Sequence, residues 1–176
     1  MTTAVNPLIE RLEKAFEAVI YPGDNNLTVS TYGEEPAALV ETFRDKTDWH
    51  ALSAAFLDQA PDGWGSALSF FSAAALQFYL PAYLIADIRG ELKIADPAIR
   101  LCAPVTPSAD RQKIAKPWGG GTLGQRNREA FALFDAQQAS AIVAYLRWKL
   151  EIGGYQPTIE QALEYYWSQR GDVECR

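Results

Sequence analysis

The stretch GWGSALSFFSAAALQFYLPAYLIA, residues 63–86, contains no Asp, Glu, Lys or Arg. It is long enough to cross a bilayer. Ser66, Ser69, Ser72, Gln77, Pro81 and two glycines dilute its hydrophobicity, however, and the nearest flanking charges, Asp62 and Asp87, are acidic rather than the basic residues that orient membrane spans. The stretch therefore reads as a buried core segment. It divides into a turn at Gly63, a β-prone run from Ala67 to Phe71, and a helix behind a cap at Ser72, on which Leu76, Tyr79, Leu80, Tyr83, Leu84 and Ile88 recur at the helical period until Gly90. Pro81 falls inside that helix, where it removes a hydrogen bond at a cost of about 3 kcal/mol. The apolar register continues in phase on both sides of it, so the expectation is one helix, kinked around Gln77–Pro81.

Working outward, Asn6-Pro7 is a helix start, followed by Leu8, Leu12, Ala15, Phe16 and Val19 on one face. Asp24-Asn25-Asn26 is turn chemistry, and Leu27 to Tyr32 is β-prone. Pro36 opens a helix bearing Leu39, Val40 and Phe43, and Thr47 or Asp48 caps another bearing Trp49, Leu52 and Phe56. C-terminal to the central helix, Asp135 with Gln138 forms a capping box before Ala139, Ile142, Val143, Leu146 and Leu150. Thr158 with Gln161 starts a last helix carrying Ile159, Ala162, Leu163 and Tyr166. The expected fold is mainly α, with α+β as the variant: five or six helices and at most one small sheet, drawn from Leu27–Tyr32, Ala67–Phe71 and a piece of Leu92–Leu101. One globular domain over 1–176 is expected, with a Pro/Gly-rich basic loop or insertion at about 103–128.

A chain of 176 residues with 48% apolar and 22% charged residues can bury a core without disulfide or metal support. Its net charge of −6 argues against a surface that tracks a phosphate backbone, and so against nucleic acid as the main partner. The charge is uneven. Residues 100–128 hold Arg100, Arg111, Lys113, Lys116, Arg126 and Arg128 against Asp110 alone. Cys102 and Cys175 form no CxxC pattern, and the N-terminus lacks the basic-then-apolar pattern of a secretory signal, so a reduced, cytoplasmic setting is expected.

Tyr21-Pro22-Gly23-Asp24, Trp49 with Leu52, the run Ala67-Leu68-Ser69-Phe70-Phe71-Ser72, Phe78-Tyr79-Leu80-Pro81-Ala82-Tyr83-Leu84, and Phe134-Asp135-Ala136-Gln137-Gln138 together resemble an uncharacterised bacterial family, a domain of unknown function. The resemblance covers most of the chain and thins across residues 100–130. It implies a bacterial origin and a cytoplasmic location, and it brings no activity, cofactor or catalytic residue.

The candidate chemistry is sparse. His50 is the only histidine, and beside a core Trp49 it reads as an edge or surface residue rather than a general base. No GxSxG elbow is present, and Cys102 reads as a small buried hydrophobe. Glu34, Glu35, Glu41, Asp45, Asp48 and Asp58 read as solvated faces. Asp24-Asn25-Asn26 lacks the alternating ligands and final Glu of a calcium loop, so no metal or cofactor is expected. Gly119-Gly120-Gly121-Thr122-Leu123-Gly124 has no Walker-type Gly-Lys-Ser/Thr and reads as a flexible loop rather than a phosphate cradle. Around it, Arg111, Lys113, Lys116, Trp118, Arg126 and Arg128 are candidates for gripping an anion or acidic partner, unless they fold back on the chain's own acidic body. Two functions follow. The first is a non-catalytic interaction protein (a regulator, adaptor or immunity-type inhibitor) whose acidic body meets a basic protein partner. The second is a small-ligand binder or enzyme with a pocket at the kinked helix, lined by Trp49, Gln77, Tyr79 and Tyr83.

Overall fold

The computed structural model describes residues 5–30, 33–59, 66–116, 119–154 and 156–171. The chain forms two compact units, Met1–Pro97 and Ala98–Arg176. Among the described residues the structure is helical and holds no sheet. Two isolated antiparallel bridges, Thr28 with Phe71 and Lys113 with Thr122, are its only β pairings there.

In the N-terminal unit, α1 (Val5–Phe16) buries Leu8, Ile9, Leu12, Ala15 and Phe16 at i, i+3 and i+4 spacing and packs on the central helix. Next come α2 (Glu34–Phe43), α3 (Ala54–Gln59), α4 (Ser66–Phe70) and α5 (Ala73–Ile88). Twelve of the sixteen residues of α5 are buried, so it has no solvated face, and α1 and α3 pack on it. It runs unbroken through Pro81, as the continuous apolar register requires. Ser72 caps it, its Oγ accepting from Ala75 N at 3.0 Å and donating to Asn26 O at 2.6 Å.

The one small sheet allowed for does not form among the described residues. Ala67, Leu68 and Phe71 are all buried, a spacing that suits a helical turn and not the alternation of a strand, and α4 occupies that run against α2. What remains of the pairing is the single bridge from Phe71 to Thr28. Leu92–Leu101 differs too, because Pro97 opens α6 (Pro97–Cys102). Residues 31–32, the end of the first β-prone run, and the turn at 63–65 lie outside the described residues.

The expected helix behind Asp48 is split. Asp48 caps only a 3-10 turn, Trp49–Ala51, and Leu52 is extended (ψ 122). Ser53 Oγ then accepts from Phe56 N at 3.2 Å and so starts α3 afresh.

In the C-terminal unit, 3-10 turns at Ala103–Val105 and Ala109–Arg111 lead to α7 (Leu123–Phe131) and α8 (Ala136–Gly153). The Asp135–Gln138 capping box is present, and Gly154, at φ 69, closes α8. The last helix starts with Pro157 at its first position and not at a Thr158 cap. It continues from α9 (Pro157–Ala162) through a π turn (Leu163–Trp167) into α10 (Ser168–Gly171). Counting 157–171 as one helix, nine are described against the five or six expected. The surplus comes from short helices where loops or strands were read. Phe131, Phe134, Tyr166 and Trp167 form the aromatic core of this unit, and Trp167 Nε1 donates to Leu101 O at 2.9 Å.

Candidate functional site

Around α5, the residues proposed to line a ligand pocket are placed differently from one another. Tyr79 and Tyr83 are fully buried. Tyr79 stacks on Phe71 at 5.1 Å and meets Phe43 edge-on at 4.9 Å, and its hydroxyl donates to Lys46 O at 2.8 Å. Tyr83 also meets Phe71, while its hydroxyl has no hydrogen-bond partner among the described residues. Burial first, then the charge of Asp58, drives the Tyr83 phenol well above its usual range. Gln77 is half-buried. Trp49 lines a separate cleft of about 260 Å³, whose α5 wall is Ala82, Ile85 and Ala86 and which neither tyrosine lines.

That cleft holds the one imidazole. His50 stacks on Trp49 with ring centroids 3.6 Å apart, and its Nδ1 lies 3.1 Å from Asp48 Oδ1, the same oxygen that accepts from His50 N. Both side chains are more than half exposed. Asp48 thus fixes the ring while it caps the turn. Glu13, Arg89 and Glu91 reach the same cleft from α1 and from beyond α5. A second groove of about 400 Å³ shares Leu52 and Ser53 with this cleft and is lined also by Asp45, Lys46, Thr47, Asp48, Ala51 and Phe56.

Two acids read as ordinary turn or surface residues hold the unit together. Asp24 accepts the Tyr21 hydroxyl and also Asp45 N, at 3.0 Å, which supports Asp45 at a left-handed φ of 59. The Tyr21 hydrogen bond, then the Asp45 N–H, holds the Asp24 carboxyl below its usual range. Burial and Asp24 push the Tyr21 phenol up to about 12. Asp58 accepts from Lys93 N (2.7 Å), Ala95 N (2.9 Å) and Ile94 N (3.2 Å). Burial alone would raise its pKa, but the three donors together pull it down. It is therefore a loop anchor and not the solvated residue expected. Glu34, Glu35, Glu41, Asp45 and Asp48 are exposed.

In the C-terminal unit the basic candidates separate into two sets. Arg128 forms a two-pronged pair with Asp110 (2.5 and 3.2 Å), which also accepts from the Tyr165 hydroxyl at 2.7 Å. These bonds, Arg128's first, hold the Asp110 carboxyl below its usual range. Arg100 lies 4.9 Å over the Phe131 ring and donates to Asn127 Oδ1, and burial lowers its pKa to about 10. Arg111, Lys113, Lys116 and Arg126 are exposed, and Trp118 lies outside the described residues.

The glycine run expected as a flexible loop closes a hairpin. Gly119, Gly120 and Gly121 take φ of 100, 69 and 75, which explains three successive glycines. Ile114 N donates to Gly121 O, and Leu123 N to Gln112 O. Gly119 N and Gly120 N are bonded to Lys116 O and Ala115 O, so neither points at an anion. A cleft of about 430 Å³ beside them takes in Gln125, Arg126 and also the Glu129 carboxylate, which opposes an anionic ligand.

Cys102 is fully buried, and no group of His, Cys, Asp and Glu among the described residues is arranged to hold a metal ion. No described helix is long and apolar enough to cross a membrane.

These placements define a helical protein whose motif residues serve its packing and caps. Residues 5–171 match the model of a family described as a family of unknown function (DUF6714), and the chain belongs to that family. No curated protein and no solved structure matches it.

Proposed function

We infer that this is a non-catalytic interaction protein, of regulator, adaptor or immunity type, working in a bacterial cytoplasm, and that its N-terminal unit engages a basic protein partner. The observation that carries this reading is the division of charge between the units. Residues 1–97 hold fourteen acidic and six basic residues, net −8; residues 98–176 hold eight and ten, net +2. A field of one sign over one unit steers a partner of the other sign and selects against wrong ones.

The pocket reading draws less support, because Tyr79 and Tyr83 are spent on the core of the N-terminal unit and Trp49 faces a different cleft. Titration of the full chain with basic proteins encoded beside its gene, at low and at high salt, tests the proposal. The expected result is a complex whose affinity falls about tenfold or more with added salt. A metabolite that raises the melting temperature, with no basic protein bound at either salt, contradicts it.

A further inference from the structure

Resting on that reading, we propose that the groove between the Asp45–Asp48 loop and α3 is the docking site, and that its occupant is an arginine of a basic partner segment. Its apolar lining is Ala51, Leu52 and the half-exposed Phe56, and the exposed Asp45 and Asp48 line it as well. Phe56 also meets the buried Phe43 edge-on, ring centroids 5.1 Å apart, which restrains its ring.

The groove also displays the chemistry it accepts. The Lys46 ammonium lies over the Phe56 ring, 5.8 Å from its centroid. A cation on an aromatic face, in a groove whose lining includes two exposed carboxylates, is a setting a guanidinium uses better than an ammonium, since it is planar, stacks on the ring, and can reach a carboxylate through two parallel N–H bonds. Lys46 is an exposed side chain on a flexible stem, and an incoming arginine displaces it without disturbing the Lys46 carbonyl that the Tyr79 hydroxyl uses. Lys46 is thus the groove's resident placeholder. The partner is identified by its chemistry: a basic segment with at least one arginine, drawn in by the net −8 of the unit.

Calorimetric titration of the full chain with hexa-arginine and with hexa-lysine, at equal charge and low salt, tests this. Hexa-arginine is expected to bind about fivefold more tightly. Lys46→Arg leaves net charge unchanged but seats a better competitor on Phe56, so hexa-arginine weakens about fivefold. Phe56→Leu keeps an apolar lining and abolishes the arginine preference. Asp45→Asn with Asp48→Asn weakens both peptides, while Glu160→Gln with Glu164→Gln, exposed in the other unit, changes affinity less than about twofold. Should Phe56→Leu fail to fold, Lys46→Arg carries the test alone. Equal affinity for the two peptides, unmoved by Lys46→Arg, overturns the groove while leaving an acidic binding unit intact. No binding of either peptide overturns both.

Discussion

At the scale of single residues, Tyr79 and Tyr83 make a matched pair. Both are fully buried on one helix, but among the described residues only the Tyr79 hydroxyl has a hydrogen-bond partner, Lys46 O. Removing a hydroxyl that is bonded costs about 0.5–1.5 kcal/mol, whereas removing an unsatisfied one relieves a desolvation penalty. Tyr79→Phe is therefore expected to lower the urea midpoint, and Tyr83→Phe to leave it unchanged or raise it. Asp58 gives the pH counterpart. Its folded pKa is depressed below the unfolded value near 3.9, so the stability it contributes is fully present above that value and is lost as pH falls through the folded one. Asp58→Asn should lower stability at pH 7 by about 1–3 kcal/mol and narrow the gap to wild type at pH 2, measured by denaturant melts at both pH values. In the sequence Asp58 looks like any helix-surface acid. Its donors lie 35 to 37 residues away, and no local pattern marks them.

At the scale of elements, local chemistry was legible and long-range competition was not. Ser72 and the Asp135–Gln138 box sit where their short motifs put them, because a cap depends on only three or four residues. The run Ala67–Phe71 was misread because β-propensity is indifferent to the neighbour that buries the segment; packing on α2 turned it into helix. The glycine hairpin was half legible: its glycines were visible, but the pairing of Lys113 with Thr122 that gives them their conformations was not. Helix approach supplies a further prediction. A Cβ added at Gly171 would lie 2.8 Å from Val143 Cγ2 and 3.1 Å from Ala139 O, so α10 meets the backbone of α8 there. Gly171→Ala should destabilise by about 1–3 kcal/mol, read as a drop in melting temperature. At Gly124 a Cβ would fall 2.1 Å from Asp110 Oδ1. Gly124→Ala should therefore break the Asp110–Arg128 pair, lowering the melting temperature to about the level of Asp110→Asn.

At the scale of the whole molecule, the residues on which the sequence resemblance rested are structural. Tyr21 and Asp24 brace the loop at Asp45, Ser72 caps α5, Phe71, Tyr79 and Tyr83 build an aromatic core, and Asp135 caps α8. Candidate chemistry chosen from those motifs therefore led into the interior, and the polar features described on the surface are charge, the grooves beside Trp49–Ala51 and the cleft at Gly119–Gly121. The charge asymmetry was visible in the sequence as a basic 100–128 segment. Its complement, the net −8 unit ending at Pro97, needed the division of the chain. The most direct test of the claim that this acidic unit is the binding surface is a residue-resolved NMR titration of the full chain with hexa-arginine at low salt. The account predicts backbone amide shifts within residues 5–97, largest around Asp45–Phe56 and reversed by salt. Shifts confined to residues 98–171, or none at all, would contradict it.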